Sequence, residues 1–233
     1  MPRTVLAALA VGVGYAVIAL AVGEGGPQAV EIEGRPEVQN LIAGIRQDEE
    51  RLGSPDAPVE IDLFTDVRAV PAAEFQLGVI DPIIDEYVRS DRAQINLRHF
   101  SFGRTAVTEA AIAADAAGAQ GHQWQYAELV MRNLGNAGAD GVDEEFLREI
   151  AEITPGLDQD EWEAEFDDEL ERQREEPDYE SAVDADGELA FELKLPAQPV
   201  LVVGGPGGAE TLDDEPTVDE ARLAIERVEV PPG

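Results

Sequence analysis

Two hydrophobic periods run along this chain, and one stretch near its start has no polar break at all. Residues 59–64 (VEIDLF) and 94–100 (QINLRHF) alternate apolar and polar positions, the period of a half-buried strand, with His99 expected on the polar face as a surface or hydrogen-bonded side chain. Residues 200–203 (VLVV) form a short continuous apolar run, a buried strand with Pro199 at its first position, and 209–212 are expected at a sheet edge. Helical spacing covers 73–89, where Phe75, Val79, Ile80, Ile83, Ile84, Tyr87 and Val88 fall on one face and Pro82 predicts a kink. Further helices are expected over 105–119, 122–133, 143–153 and 158–174, the last with Trp162, Phe166 and Leu170 at spacing four. A terminal helix over 217–228 carries its own start signal, Thr217 with Glu220 three residues on. Upstream, Val38, Leu41, Ile42 and Ile45 mark a short amphipathic helix expected to end near Leu52–Gly53.

The unbroken stretch is 5–23, VLAALAVGVGYAVIALAVG, which carries no charge. As a helix it would be about 28 Å long, close to the thickness of a bilayer core. Arg3 and the terminal amine precede it and Glu24 follows, so the positive-inside bias puts the amino terminus in the cytoplasm and the rest outside. The expectation is a retained single-pass anchor in the cell membrane with a periplasmic or extracellular domain. A cleaved signal peptide is the alternative, with Ala19-Leu20-Ala21 as its cleavage site. Ala8, Gly12 and Ala16 share one small-residue face, a candidate for packing against another membrane helix. The expected organisation is an anchor (1–23), a linker with the short helix (24–52), a domain (53–229) and a tail (230–233).

Composition changes this picture mainly through charge. The 233 residues include 50 Asp+Glu against 16 Lys+Arg, a formal net charge of -34, and Lys194 is the one lysine. Residues 140–192 alone hold 23 acidic and three basic side chains, expected as a solvated helical face. Such a surface repels nucleic acid and anionic lipid headgroups. Two readings fit it: adaptation to high salt, which is favoured because the acids are spread along the chain, or a specific face for cations or a basic partner. There is no cysteine and there are two histidines, so disulfides, thiolate chemistry and a cysteine-built zinc site are excluded, and no metal or cofactor is expected. Asp184-Ala185-Asp186-Gly187-Glu188 holds a fragment of a calcium-loop pattern and is read as an acidic turn. Gly204-Gly205-Pro206-Gly207-Gly208 lacks the Lys-Ser/Thr of a phosphate-binding loop and is read as a hairpin turn.

The candidate chemistry centres on Asp66 to Phe75, DVRAVPAAEF, where a strand turns into a helix and the helix amino terminus faces the sheet's carboxyl edge. Together with the order of elements, several patterns resemble the thioredoxin fold with a helical insertion, as in the DsbA-like disulfide oxidoreductases. Leu52-Gly53-Ser54-Pro55-Asp56-Ala57-Pro58-Val59 looks like the lead-in to the first core strand, and Asp66–Phe75 takes the place of the Cys-Pro-x-Cys turn. Pro82 sits where the family's first helix often carries proline, Gln120-Gly121-His122-Gln123-Trp124 resembles the start of an insertion helix, and Gln198-Pro199-Val200 stands where the family has a Thr and a cis-proline. The resemblance covers Leu52 to Val228, with an insertion over about 104–192. It implies an α/β fold of DsbA-like type behind the membrane helix.

Ala69 and Ala72 stand at the positions of the two redox cysteines, so thiol–disulfide exchange by this chain is impossible. The resemblance then implies a polypeptide-binding surface of Val67, Arg68, Val70, Pro71 and Ala72 with Ala197, Gln198 and Pro199. The favoured reading is a non-enzymatic accessory or assembly subunit whose partners are other subunits of a membrane complex or a polypeptide segment. A holdase-like chaperone or cation-binding module is the alternative. The least favoured is an enzyme using the carboxylates of Asp66 and Glu74 near Arg68.

Overall fold

The computed structural model describes residues 32–101, 108–137, 141–175, 182–196, 198–213 and 215–231. The uncharged stretch 5–23, with Ala8, Gly12 and Ala16, lies outside them. Among the described residues no helix is long and apolar enough to cross a membrane.

Among the described residues six strands form one sheet: β1 (Gln47–Asp48), β2 (Arg51–Leu52), β3 (Val59–Thr65), β4 (Ala93–His99), β5 (Val200–Gly205) and β6 (Gly208–Leu212), in the spatial order β1-β2-β4-β3-β5-β6. Of these pairings the one between β3 and β4 is parallel, with Ile61 opposite Ile95 and Leu63 opposite Leu97. The antiparallel β5 pairs with β3 so that Val200 lies opposite Phe64.

Helix α1 (Arg35–Ile42) is shorter than its periodicity predicts. Gly44 follows it at φ +78°, and the chain turns into the β1–β2 hairpin, which pairs with β4 instead of continuing the helix. Its Val38 and Ile42 are buried in the main core. Helix α2 (residues 70–88) runs from Val70–Phe75 through Asp81–Ile83 to Val88, with wide π-type turns at Gln76–Ile80 and Ile84–Val88. Pro82 has no N–H to give, and these turns flank it where a kink is expected. The insertion supplies α3 (Glu109–Gly118), α4 (Gln123–Arg132), α5 (Glu144–Ile153), α6 (Gln159–Glu175) and α7 (Ala182–Glu192), and α8 (Val218–Glu229) closes the chain. Both halves of the predicted capping box at Thr217 and Glu220 are made. The acidic turn expected at 184–188 is instead part of α7, because Val183, Asp186 and Ala190 recur at helical spacing and all face inward.

The main core joins Val59, Ile61, Leu63, Ile95 and Leu97 of the sheet to Ile80, Ile83 and Ile84 of α2 and Ala224, Ile225 and Val228 of α8. The insertion adds an aromatic stack, with the Trp162 ring 4.9 Å from Phe166 and 5.6 Å from Tyr126. Buried aromatic polar groups need partners: Trp162 Nε1 donates to the Ala113 carbonyl at 2.9 Å and Tyr126 Oη to that of Leu147 at 2.7 Å. The opposite face of β3 and β4 holds Glu60, Asp62, Asn96 and Arg98, and there Phe64 and Val200 meet Ala190 of α7 and Leu195.

Candidate functional site

Strand β3 delivers its last residues to the carboxyl edge of the sheet, where the chain must reverse into α2. Asp66 makes that turn. Its backbone carbonyl accepts from the Ala69 N–H at 2.9 Å and its Oδ1 from the Arg68 N–H at 3.0 Å. The Arg68 guanidinium then folds back on the same carboxylate, Nε to Oδ1 at 3.0 Å and Nη2 to Oδ2 at 2.8 Å. Burial alone raises the Asp66 pKa, but the Arg68 side-chain and backbone hydrogen bonds and charge outweigh it, and the group sits below its ordinary value. Asp66 is therefore a fixed carboxylate that braces the turn.

Ala69 occupies the N-cap of α2 in an extended conformation without a side-chain cap, and Pro71 falls in the first turn. Val67 points into the main core and Ala72 is 2% exposed, so neither belongs to an open surface. Val70 is 60% exposed, Pro71 is exposed, and Arg68 and Ala69 are partly so. Because Val200 lies opposite Phe64, the residues before β5 reach the same sheet edge as the turn. There the Gln198–Pro199 peptide is cis, Pro199 is buried and Gln198 is half-buried. Ala197 lies outside the described residues. The open part of the expected surface is thus Arg68, Ala69, Val70, Pro71 and Gln198. In the segment leading to it, Phe191 (83% exposed) and Leu193 add apolar area.

The carboxylate pair of the enzymatic reading is not assembled, since Asp66 is held by Arg68 while Glu74 faces solvent. The crevice between Asp66 and His99, lined also by Thr65, Ser101 and Thr108, is too tight to admit a water molecule.

His99 differs from its expected place. It shares the parity of Ile95 and Leu97 rather than that of Arg98, so it enters the interior, 2% exposed. Its Nε2 lies 3.1 Å from Gln123 Nε2 and 3.4 Å from Asp115 Oδ1. A neutral ring bare at Nε2 accepts from Gln123, whereas a protonated ring donates to Asp115. Burial pulls the His99 pKa down, but the Asp115 hydrogen bond and the charges of Asp115, Asp186 and Asp66 outweigh it and the net direction is up. Asp186 Oδ2 accepts from the His99 backbone N–H at 2.8 Å, and burial pushes its pKa up to about 6 against the pull of His99 and Arg98. Arg98 reaches three acids, Asp62 at 3.0 Å, Glu50 at 3.2 Å and Asp186 at 3.3 Å.

Beside this network a cleft of about 320 Å³ opens between the β1–β2 hairpin and α3, α4 and α6, lined by Glu49, Glu50, Asp115, Glu165, Glu169 and Arg172. Glu50 and Glu169 already answer Arg98 and Arg172, and among the described residues no group of three or more ligating side chains could hold a metal ion.

Sequence reasoning placed Asp186 only within an acidic turn and did not single out Arg98 or Glu128. The last had a legible signal: it is one acid inside the run Trp124 to Met131, whose apolar side chains are all buried.

Residues 46–227 match the family model described as thioredoxin. Solved structures show the same fold at low identity. BdbD from Bacillus subtilis in its oxidised form aligns at TM-score 0.62 with 18% identity, over 78% of this chain and 95% of that one. DsbA from Chlamydia trachomatis aligns at 0.60 with 19% identity, over 76% and 90%. The thiol-disulfide exchange protein alpha-DsbA2 from Wolbachia pipientis aligns at 0.57 with 14% identity, over 83% and 93%. A search of curated proteins finds no match to this sequence.

Proposed function

The chain belongs to the thioredoxin family, and from that premise we propose that it is a redox-inactive, protein-binding member. On this reading it is held at the outer face of a cell membrane by residues 5–23 and serves as an accessory or assembly subunit of a membrane complex. The observation that carries the reading is the turn itself. The strand–turn–helix geometry and the neighbouring cis-proline are kept, Ala69 and Ala72 stand where thiols would act, and the exposed side chains left at the edge are Val70 and Pro71. A surface with apolar side chains beside backbone at a sheet edge can take an extended polypeptide by β-like pairing, without any reacting group.

The uncharged segment supports the membrane tether, and its Ala8, Gly12 and Ala16 face supports a helical partner within the bilayer. Extracted in mild detergent at high salt, the native protein is expected to migrate in an assembly well above its 25.0 kDa chain mass. A lone monomer in the detergent micelle would contradict the subunit reading.

A second reading, cation binding, draws on the acidic cleft of about 320 Å³. It is weaker, because two of the lining acids are already paired with arginine.

A further inference from the structure

Between α2 and α4 the interior holds more carboxylates than its one arginine can neutralise. Glu128 of α4 is fully buried, and it accepts from Gln76 Nε2 at 2.5 Å and from Arg132 Nε at 3.1 Å. Asp81 of α2 uses the same two partners, with Gln76 Nε2 at 3.4 Å and Arg132 Nη2 at 2.5 Å. Two carboxylates therefore face one guanidinium and one neutral amide. Around Glu128 the other helices that pack on α4 bring apolar groups: Ala113 and Ala117 of α3 and Leu147 and Ile150 of α5 share the core with it, and Gly34 ahead of α1 lies against the Arg132 stem. The charged Asp115 of α3 and Arg148 of α5 act instead on Gln123 and Tyr126.

We propose that Glu128, facing the Asp81 carboxylate, holds a proton at neutral pH, and that this proton latches α2 against α4 and releases it when lost at alkaline pH. Two adjacent carboxylates in a water-poor site cannot both ionise without strong repulsion, and one guanidinium cancels one charge. Gln76 Nε2 and Glu128 Oε1, 2.5 Å apart, place the amide directly on the carboxyl. Gln76 Oε1 is buried without a partner, so a half-turn of the amide gives a protonated Glu128 an acceptor. Burial and the Asp81 charge push Glu128 up to about 8 against the pull of Arg132. The Asp81 side chain is 18% exposed, which gives the proton a route to solvent.

The sign follows from the raised value. An unfolded glutamate titrates near about 4.3, so the folded state holds the extra proton above that pH. The stabilisation is fully present below the unfolded pKa and is lost as pH rises through about 8. The latch sits in the first π-type turn and at the residue after it, on the helix whose first turn carries Val70 and Pro71. Release therefore loosens the element that presents the candidate binding surface.

The test compares the full chain in detergent and salt with Glu128→Gln and Asp81→Asn. Infrared spectra of the unsubstituted protein should show a protonated-carboxyl band at pH 6.5 that disappears with a midpoint near 8. Glu128→Gln should lack the component with that midpoint, leaving only what Asp186 contributes with a midpoint near 6, and Asp81→Asn should move the midpoint near 8 down by about one unit or more. Between pH 6.5 and 9.5 the unsubstituted protein should lose at least about 5 °C more in Tm than Glu128→Gln, while the share due to His99 remains in both. Amide protection in 70–88, corrected for intrinsic exchange, should fall over the same range only where the latch is intact. The absence of that higher-pH component, or an unmoved midpoint in Asp81→Asn, would overturn the proposal. So would full pH sensitivity retained in Glu128→Gln.

Discussion

Placing two cysteines in the turn, Ala69→Cys with Ala72→Cys, is expected to give this chain an activity that it lacks. The double variant should close an intramolecular disulfide and, once reduced, should reduce disulfide-bonded proteins. The unsubstituted chain, with no thiol, does neither. Three features argue for it. Position 69 is the N-cap of α2 and position 72 lies in its first turn, three residues on, which brings the two side chains to one end of the helix. Uncapped N–H groups at a helix amino terminus stabilise a thiolate and lower its pKa from about 8.5 toward roughly 7 or below. Position 69 is partly exposed while Ala72 is buried, so an outer attacking thiol and an inner resolving one are already distinguished. The Asp66 charge opposes the thiolate, but Arg68 neutralises it across two hydrogen bonds. Thiol titration after oxidation and an insulin-reduction assay read the result, and with no native cysteine every signal belongs to the new pair. Two thiols that stay unlinked under oxidant would mean that the turn has lost the geometry of its family.

The second large effect is expected from salt. Among the described residues twelve arginines, including Arg68, Arg92, Arg98, Arg132 and Arg148, each hold at least one carboxylate. With 50 acids against 16 bases, most of the surface charge has no counter-ion within the protein. At 0.01 M salt the screening length is about 30 Å, larger than the domain radius, so every carboxylate repels every other. At 1 M it is about 3 Å, and only immediate neighbours interact. Moving the protein from molar salt to about 0.01 M should therefore unfold it or lower its Tm by at least about 10 °C. Equal melting in both conditions would refute the salt-adapted reading of the acidity.

Much of the fold was legible because its signals are local. The 2-residue period in 59–64 and 94–100, the 3.6-residue period in 73–89 and the Thr217–Glu220 box each act within a few residues. The β1–β2 hairpin was not, since Ile45 keeps helical spacing while pairing with β4 across more than 40 residues draws 47–52 into the sheet. His99 was misplaced by one step of parity, which is enough to carry a strand side chain from solvent to core. At the candidate site the turn and the place of Pro199 at the head of β5 were readable, but its cis peptide and the inward aim of Val67 and Ala72 were not, because they depend on how the chain seats on the sheet. The Asp81–Glu128 pair joins residues 47 apart in sequence through Arg132, and no window of sequence reports such a meeting.

The central claim is that the edge formed by Val70, Pro71 and Gln198 holds a polypeptide. A photo-reactive side chain placed at Val70 in the full-length protein, illuminated in native membranes at high salt, tests it directly. The account predicts one or a few discrete cross-linked protein species from position 70, and none from Leu223 of α8, an apolar side chain that is also more than half exposed. Position 70 giving no adduct, or the same adducts as position 223, would contradict it.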